Sequence, residues 1–246
     1  MTEVQTLARG LHILELLAAS ESGLTTTELA NQLRVDKGGM SRLMHTLVKY
    51  RFAERDEKTR RYHLGMRVQE LGRQAGQHAS LRELSEPYLQ QLGAATGENA
   101  HVAVYAPPQA LIIADVPSTA PLRVVGEIGR RTPLHCSAIG KCLLAFCEIP
   151  LPTQFNRFTE RTIMSQADLV EDLDTVRQLG YAVDAEELTL GVYGIATSIR
   201  NREGRTIAAM GLSGPSVRLT GETIPQLAEL LMKVAYDVSA ELGYER

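Results

Sequence analysis

The stretch Thr25-Thr26-Thr27-Glu28-Leu29-Ala30-Asn31-Gln32-Leu33-Arg34-Val35-Asp36-Lys37-Gly38-Gly39-Met40-Ser41-Arg42-Leu43-Met44-His45 decides the architecture of the first part of the chain. Thr25 with Glu28 three residues on is a capping box: the threonine hydroxyl accepts from the glutamate N–H, and the glutamate carboxylate reaches back to the threonine N–H. It opens a short helix through Leu29, Ala30 and Leu33. After Arg34-Val35, Asp36 is an N-cap for a further helix whose apolar face is Met40, Leu43/Met44, Leu47 and Val48. Two helices joined by so short a turn make a helix-turn-helix, about residues 25–46.

Working outward, Leu7, Leu11, Leu14 and Leu17/Ala18 recur at helical spacing between Val4 and Ala19, which predicts an amphipathic helix in front of the motif. Behind it, Phe52-Ala53-Glu54-Arg55 and Arg61-Tyr62-His63-Leu64 read as two short strands around the polar tip Asp56-Glu57-Lys58-Thr59-Arg60. Three helices followed by a hairpin, about 52–64, is the order of a winged helix. A hairpin there is either a lid on the helical core or a wing on nucleic acid. Lys58, Arg60 and Arg61 at its tip favour phosphate contact.

Charge points the same way, but only locally. The 246 residues hold 26 Lys+Arg against 29 Asp+Glu, a net −3 that gives no global reason to expect a nucleic-acid partner. Between 34 and 61, however, nine basic residues stand against four acidic ones, so that segment carries +5 and the remainder −8. Such a stripe is the footprint of a small DNA-binding module, with a solvated helix face as the plain alternative. Lys37, Ser41 and His45 recur four apart, opposite the apolar stripe, with Gly38 and Arg42 beside them. That end of the helix enters the major groove in a helix-turn-helix, where arginine donates to guanine and serine bonds base or phosphate. Arg42 is the foremost base-contact candidate. The pair Gly38-Gly39 costs roughly 1 kcal/mol per residue in helix propensity, and reads either as fraying or as close approach to DNA. The candidate DNA-contacting set is Thr26, Lys37, Gly38, Gly39, Ser41, Arg42, His45, Lys58, Arg60 and Arg61.

Other chemistries find no support. Cys136, Cys142 and Cys147 beside His135 match no zinc spacing, Ser137-x-x-x-Lys141 is one residue too long for a Ser-x-x-Lys nucleophile, and Gly126/Gly129 and Gly191/Gly194 fit neither a P-loop nor a dinucleotide fingerprint. No metal, cofactor or catalytic group is therefore expected. No apolar run approaches the roughly 18 residues that cross a bilayer, and the first residues lack a secretory signal, so a cytoplasmic protein with reduced thiols is expected.

The second part reads as α+β. Met66 to Gly76 continues helically and Leu81 to Leu92 forms another helix around Pro87, a connector that either transmits rigid-body change or merely spaces, with glycines 65, 72 and 76 as hinge points. Ala100–Ala106 and Ala110–Val116 flank Pro107-Pro108-Gln109, and Val192–Arg200 and Thr206–Ser213 flank Asn201 to Arg205: two hairpins. Helices are predicted at Ser137–Phe146, Asp168–Leu179 and Thr223–Leu242. Adjacent hairpins imply an antiparallel sheet with helices packed on it. The expected division is a winged helix over 1–65, a linker helix over 66–80 and a larger domain over 81–246.

Several motifs in series carry a family resemblance. Leu11 to Leu17, Thr26-Thr27-Glu28-Leu29-Ala30, Ser41-Arg42-Leu43-Met44 and Tyr62-His63-Leu64-Gly65 resemble the winged helix of the IclR family of prokaryotic transcriptional regulators. Pro133 to Ala145, Gly180 to Glu187, Gly191-Val192, Ile195 to Ile199 and Leu212-Ser213-Gly214-Pro215 resemble its effector domain. One departure is that Gly38-Gly39 stand where the family often has a Ser-Thr pair, so contacts ascribed to that pair do not transfer. The resemblance implies a GAF-like or profilin-like sheet cupping a small ligand, and a homodimer or tetramer on double-stranded operator DNA.

Locally, Ser137-Ala138-Ile139-Gly140 begins a helix whose free N–H groups favour a carboxylate. Ser137 read alone is an N-cap and Asp184 a loop residue; the resemblance adds both to a ligand site with Glu186, Val192, Gly194 and Ser213. Gly194 and Gly211 stand where some relatives have ligand-touching side chains. That implies a roomier and less polar pocket, for an organic acid bulkier than a two- or three-carbon keto acid, aromatic acids included. The expectation is a DNA-binding regulator controlled by such an acid. Its rivals are an enzyme with an autoregulatory DNA-binding domain, which would turn the acid over, and an architectural DNA-binding protein, which would ignore it.

Overall fold

The computed structural model describes residues 4–74 and 77–245, with the side chains of 72–80 set aside. It divides into two compact units, Met1–Ala79 and Ser80–Arg246. In the first, α1 (Gln5–Ala18), α2 (Thr26–Leu33) and α3 (Lys37–Lys49) are followed by the hairpin β1 (Ala53–Arg55) and β2 (Tyr62–Leu64), then α4 (Met66–Gln74). The capping box forms: Thr25 Oγ1 accepts from Glu28 N at 3.3 Å, and Glu28 Oε2 accepts from Thr25 N at 2.7 Å. Arg34 ends α2 in the left-handed region, at φ 51°, and so turns the chain within three residues into α3. Asp36 Oδ1 accepts from Gly39 N at 2.8 Å and starts that helix. Leu24 bridges Tyr62, tying the turn before α2 to the hairpin.

Ile13, Leu17, Leu29, Ala30, Met40, Met44 and Ala53 form the core of this unit. Here the structure corrects the sequence reading of α1. Leu7 and Leu11, placed on its apolar face, are 63% and 54% exposed; Leu17 of the expected stripe is buried, together with Ile13, which was not in it. The helix carries two apolar stripes one residue apart, about 100° around its axis, and periodicity alone does not say which of them the other helices cover. Val48, expected on the core face of α3, is likewise exposed.

The second unit begins with α5 (Gln77–Thr96), which runs on past Leu92 with Pro87 inside it. The glycine at 76, counted as a hinge point, lies outside the described residues, and Gly72 falls within α4. There follow β3 (Asn99–Ala106), β4 (Gln109–Val116), β5 (Arg131–Thr132), α6 (Ala138–Phe146), α7 (Gln166–Leu179), β6 (Tyr181–Ala185), β7 (Val192–Arg200), β8 (Thr206–Pro215) and α8 (Ile224–Glu241). Among the described residues the strands make one six-stranded antiparallel sheet in the order β5-β4-β3-β8-β7-β6.

Strand alternation gives the sheet two unlike faces. Val102, Val104, Ile195, Ile199, Met210 and Leu212 cluster with Leu89 and Leu92 of α5 and with Leu231 and Val234 of α8. On the other face Ala103, Ala182, Ala196 and Ala209 meet Ile139 and Leu143 of α6 and Leu169 and Leu173 of α7. Alanines let α6 lie close to the strands. The close approach extends to Gly140, whose missing Cβ would stand 2.5 Å from Leu134 Cα.

Ile13→Ala is expected to lower unfolding free energy by about 2–5 kcal/mol, whereas His12→Ala on the exposed side of α1 changes it by less than about 0.5 kcal/mol. Urea denaturation measures both, and equal effects would contradict the observed face.

Candidate functional site

Two sites merit description, one in each unit. On the first, Lys37, Gly38, Ser41, Arg42 and His45 are all exposed along one side of α3. Gly39 is half-buried, and a Cβ there would stand 2.9 Å from Asp36 Oδ2 and 3.1 Å from Val35 Cγ1. The glycine pair therefore seats the Asp36 cap rather than fraying the helix. The Gly39 N–H, and then the charge of Arg42, hold the Asp36 carboxyl below its ordinary range. Thr26 is half-buried in the first turn of α2.

At the hairpin tip the Asp56 carboxylate accepts from the N–H groups of Lys58 and Thr59, at 2.7 and 3.1 Å, which leaves Lys58 and Arg60 exposed at the apex. Arg61 departs from the expected set. Its guanidinium turns inward, donating to Gly23 O at 2.7 Å and to both Glu28 oxygens at 3.3 Å. It fastens the hairpin to the start of α2 instead of standing free at the tip. Arg9, which periodicity did not single out, lines a groove of about 290 Å³ with Thr6, Arg42 and Thr46. The available signal was a basic residue on α1 near the recognition helix in any three-helix arrangement.

The second unit holds a cavity of about 290 Å³ where the sheet meets the start of α6. Register builds its floor. Asn99 pairs with Ser213, Ser213 with Gly194 and Gly194 with Asp184, so these four positions form a row across β3, β8, β7 and β6. Asn99 Nδ2 donates to Asp115 Oδ1 at 2.9 Å and to Val116 O at 3.1 Å, and Ser213 Oγ donates to Asn99 Oδ1 at 3.2 Å. Ser137, Ala138, Ile139, Asp184, Val192, Gly194 and Ser213 all line the cavity.

Two expected residues do not line it. Gly140 serves the packing of α6 against Leu134 and gives its N–H to Ser137 Oγ at 3.1 Å. Glu186, at φ 64°, pairs with Arg161 at 2.7 Å and accepts from Gly191 N at 3.0 Å, bracing the loop behind the cavity. Nor is Ser137 a free donor, since its hydroxyl hydrogen goes to Pro133 O at 2.5 Å. The groups that α6 offers a ligand are the N–H of Ala138 and Ile139, which have no intrahelical partner. The expected extra room is only half there. A Cβ at Gly194 would make ordinary contacts, 3.5 Å from Ala138 Cβ, but the space at Gly211 is filled by His101 Nε2 and Ile139 Cδ1, 2.9 and 3.1 Å from the position of such a Cβ.

Sequence reasoning missed the roof. Arg123, Val124, Val125, Gly126 and Arg130 line the cavity from the segment between β4 and β5. That segment has no periodicity to read. Arg218 pins it, donating to both Glu98 oxygens at 2.5 and 2.8 Å and to Leu122 O at 2.9 Å. Gly126 has no room for a side chain, because its Cβ would run into the Asp115 carboxylate.

Burial sets the electrostatics. Asp184 is 6% exposed, and desolvation, opposed by the Glu187 N–H and reinforced by the Glu187 charge, pushes its carboxyl up to about 7. Lys141 is fully buried with Nζ 2.6 Å from Glu187 Oε1 and 3.1 Å from Asp172 Oδ2. Burial, and then the charge of Arg130, lower His101 to about 4, so its imidazole is neutral at ordinary pH. Burial pushes the Cys136 thiol up to about 12 and raises Cys142 and Cys147 as well, leaving thiols rather than thiolates. Among the described residues no three His, Cys, Asp or Glu are placed to hold a metal ion.

A basic winged helix joined to a ligand-sized cavity defines a DNA-binding regulator with a sensing domain. Comparison with known proteins places it more narrowly. Residues 6–57 match the IclR helix-turn-helix domain and residues 73–240 match the C-terminal domain of bacterial transcriptional regulator IclR, so the chain belongs to the IclR family. It is 31% identical over 245 residues to the HTH-type transcriptional repressor AllR of Escherichia coli strain K12, covering 97% of this chain and 90% of AllR. It is 33% identical over 243 residues to the HTH-type transcriptional regulator BhcR of Paracoccus denitrificans, covering 96% and 86%. An IclR homolog from Microbacterium hydrocarbonoxydans, solved in complex with 4-hydroxybenzoate, shares the fold with a TM-score of 0.86 at 22% identity over 96% of this chain and 98% of that one. The IclR transcriptional regulator from Alicyclobacillus acidocaldarius gives a TM-score of 0.81 at 26% identity over 98% and 100%.

Asp184 makes stability depend on pH. Its folded value of about 7 lies above the ordinary 3.8, so between the two the folded chain holds a proton that the unfolded chain has lost. Its contribution to stability falls as pH rises through that window and is level above it. Asp184→Asn is expected to flatten this part of the Tm profile; an unaltered slope would show that the carboxyl is not shifted.

Proposed function

We propose that this IclR-family regulator binds operator DNA through α3 and the hairpin, and that a small organic acid in the cavity of the second unit controls its operator affinity. The observation that carries the reading is the composition of the cavity. The N–H groups of Ala138 and Ile139, with Arg123 and Arg130 in the same lining, suit a carboxylate, and Asp184 and Ser213 offer acceptors for a further polar group. A ring carrying a carboxylate and a hydroxyl suits that lining. The 4-hydroxybenzoate held by the Microbacterium relative supports an aromatic acid here.

In this reading residues 1–65 are the DNA-binding domain, 66–80 the linker and 81–246 the effector and oligomerisation domain. Arg42, Lys37, Ser41 and His45 read the major groove, and Lys58 and Arg60 contact phosphate. The protein acts in the cytoplasm as a homodimer or a pair of dimers. The exposed stripe of Val4, Leu7 and Leu11 on α1 supports a second copy there, since solvent-facing apolar side chains in a row otherwise cost stability. Two recognition helices then meet half-sites about 34 Å apart on near-palindromic DNA. The acid shifts the balance between DNA-binding and non-binding arrangements by the difference in its affinity for the two.

Arg42→Ala is expected to weaken operator binding by about 1–3 kcal/mol, measured by fluorescence anisotropy with DNA from upstream of its own gene. Asp184→Ala is expected to leave that affinity intact and blunt the response to added acid. An unchanged affinity in the first, or a full response in the second, overturns the corresponding assignment.

A further inference from the structure

His101 has no role in the DNA-binding surface and was not among the expected ligand residues, yet it sits inside the cavity wall. It is 9% exposed, lies on β3, and faces Gly211 of β8 and Asp115 of β4 in register. Gly211 is what makes room for it. The imidazole Nε2 and Ile139 Cδ1 lie 2.9 and 3.1 Å from the point where a Cβ at 211 would stand, which puts the Nε2 edge of the ring beside the first turn of α6. Nδ1 is enclosed and has no hydrogen-bond partner. An enclosed N–H without an acceptor is rarer in proteins than an enclosed lone pair, so the proton belongs on Nε2. The space that a side chain at 211 would take is thus given to a donor arriving from the neighbouring strand.

We propose that His101 is a specificity-determining residue of the cavity, whose Nε2–H joins the N–H groups of Ala138 and Ile139 as a third donor to the carboxylate of the bound acid. The assignment rests on the effector reading above and deepens it. Desolvation beside Arg130 keeps the ring neutral, so it acts as a single-proton donor across ordinary pH. A neutral donor to an anion also makes one of the stronger hydrogen bonds. Asp184, which lines the same cavity, is left to read the rest of the acid.

The experiment uses the full-length protein, with benzoate and 4-hydroxybenzoate as calorimetric probes. His101→Phe is expected to weaken both acids about tenfold or more and by the same factor, because the lost contact is to the group they share. His101→Gln, which keeps a donor, is expected to recover part of the loss. Nitrogen-15 NMR of the wild-type histidines, which needs no variant to fold, is expected to show the His101 Nε2–H signal moving on addition of either acid while Nδ1 stays unprotonated. Wild-type binding with an unmoved His101 signal, or undiminished affinity in a folded His101→Phe, overturns the assignment and leaves the effector reading standing. A wild-type protein that binds neither acid overturns both for aromatic carboxylates.

Discussion

The cavity depends on one buried cation. Lys141 has no solvent contact, and its ammonium lies between Glu187, from the loop after β6, and Asp172 of α7. An unpaired charge at that depth would cost several kcal/mol, so the three elements that supply the partners are held together or not at all. Lys141 stands one turn into α6, just beyond the N–H groups that face the cavity. The pairing therefore fixes the start of α6 against the 186–191 loop. Glu187 carries the constraint onward. Its backbone N–H donates to Asp184 Oδ1 at 2.8 Å, and its carbonyl accepts from the Thr162 hydroxyl at 2.7 Å. One ion cluster thus ties the start of α6 to Asp184.

Much of this was legible in the sequence, for identifiable reasons. The capping box at Thr25 and Glu28 and the Asp36 cap have their partners three residues away, the hairpins pair strands adjacent in the chain around a turn, and all form. Tertiary choices were not legible. The stripe Leu7, Leu11, Leu14 and Leu17 is periodic along its whole length, yet packing against the rest of the unit buries only its end at Leu17 and adds Ile13 beside it. Arg61 looked like its neighbours Lys58 and Arg60, but it is the residue whose reach brings it to Glu28, 33 positions earlier in the chain.

The ligand site divides in the same way. Residues at the start of α6 and along the strand ends lie in motifs, and seven of the nine named there line the cavity. The roof and His101 escaped because nothing local marks them. Arg123 and Arg130 belong to an irregular segment pinned at Leu122 by Arg218, 96 positions further along the chain and itself held by Glu98. His101 reads as one polar residue in an apolar strand, and only the register with Gly211 shows why it is there. Gly211 itself had suggested an empty space, when it is the seat of a neighbour's ring.

The distribution of charge makes sense of the division of labour. A net of −3 for the whole chain conceals a basic 34–61 segment in an otherwise acidic protein. Of the nine cations in that segment, Arg61 is committed to Glu28, and Arg51 lies 3.8 Å from Glu70. The surface open to phosphate is therefore smaller than composition suggests, and centres on α3 and the hairpin apex. Non-specific affinity from so few phosphate contacts is weak, and its fall with salt scales with that small number. Under the proposed function the acidic remainder repels DNA elsewhere, so occupancy of an operator rests on base reading by α3. On that reading a sensing domain needs to alter only how α3 meets DNA, and the Lys141 pairing, which fixes the start of α6, holds the cavity proposed to govern it.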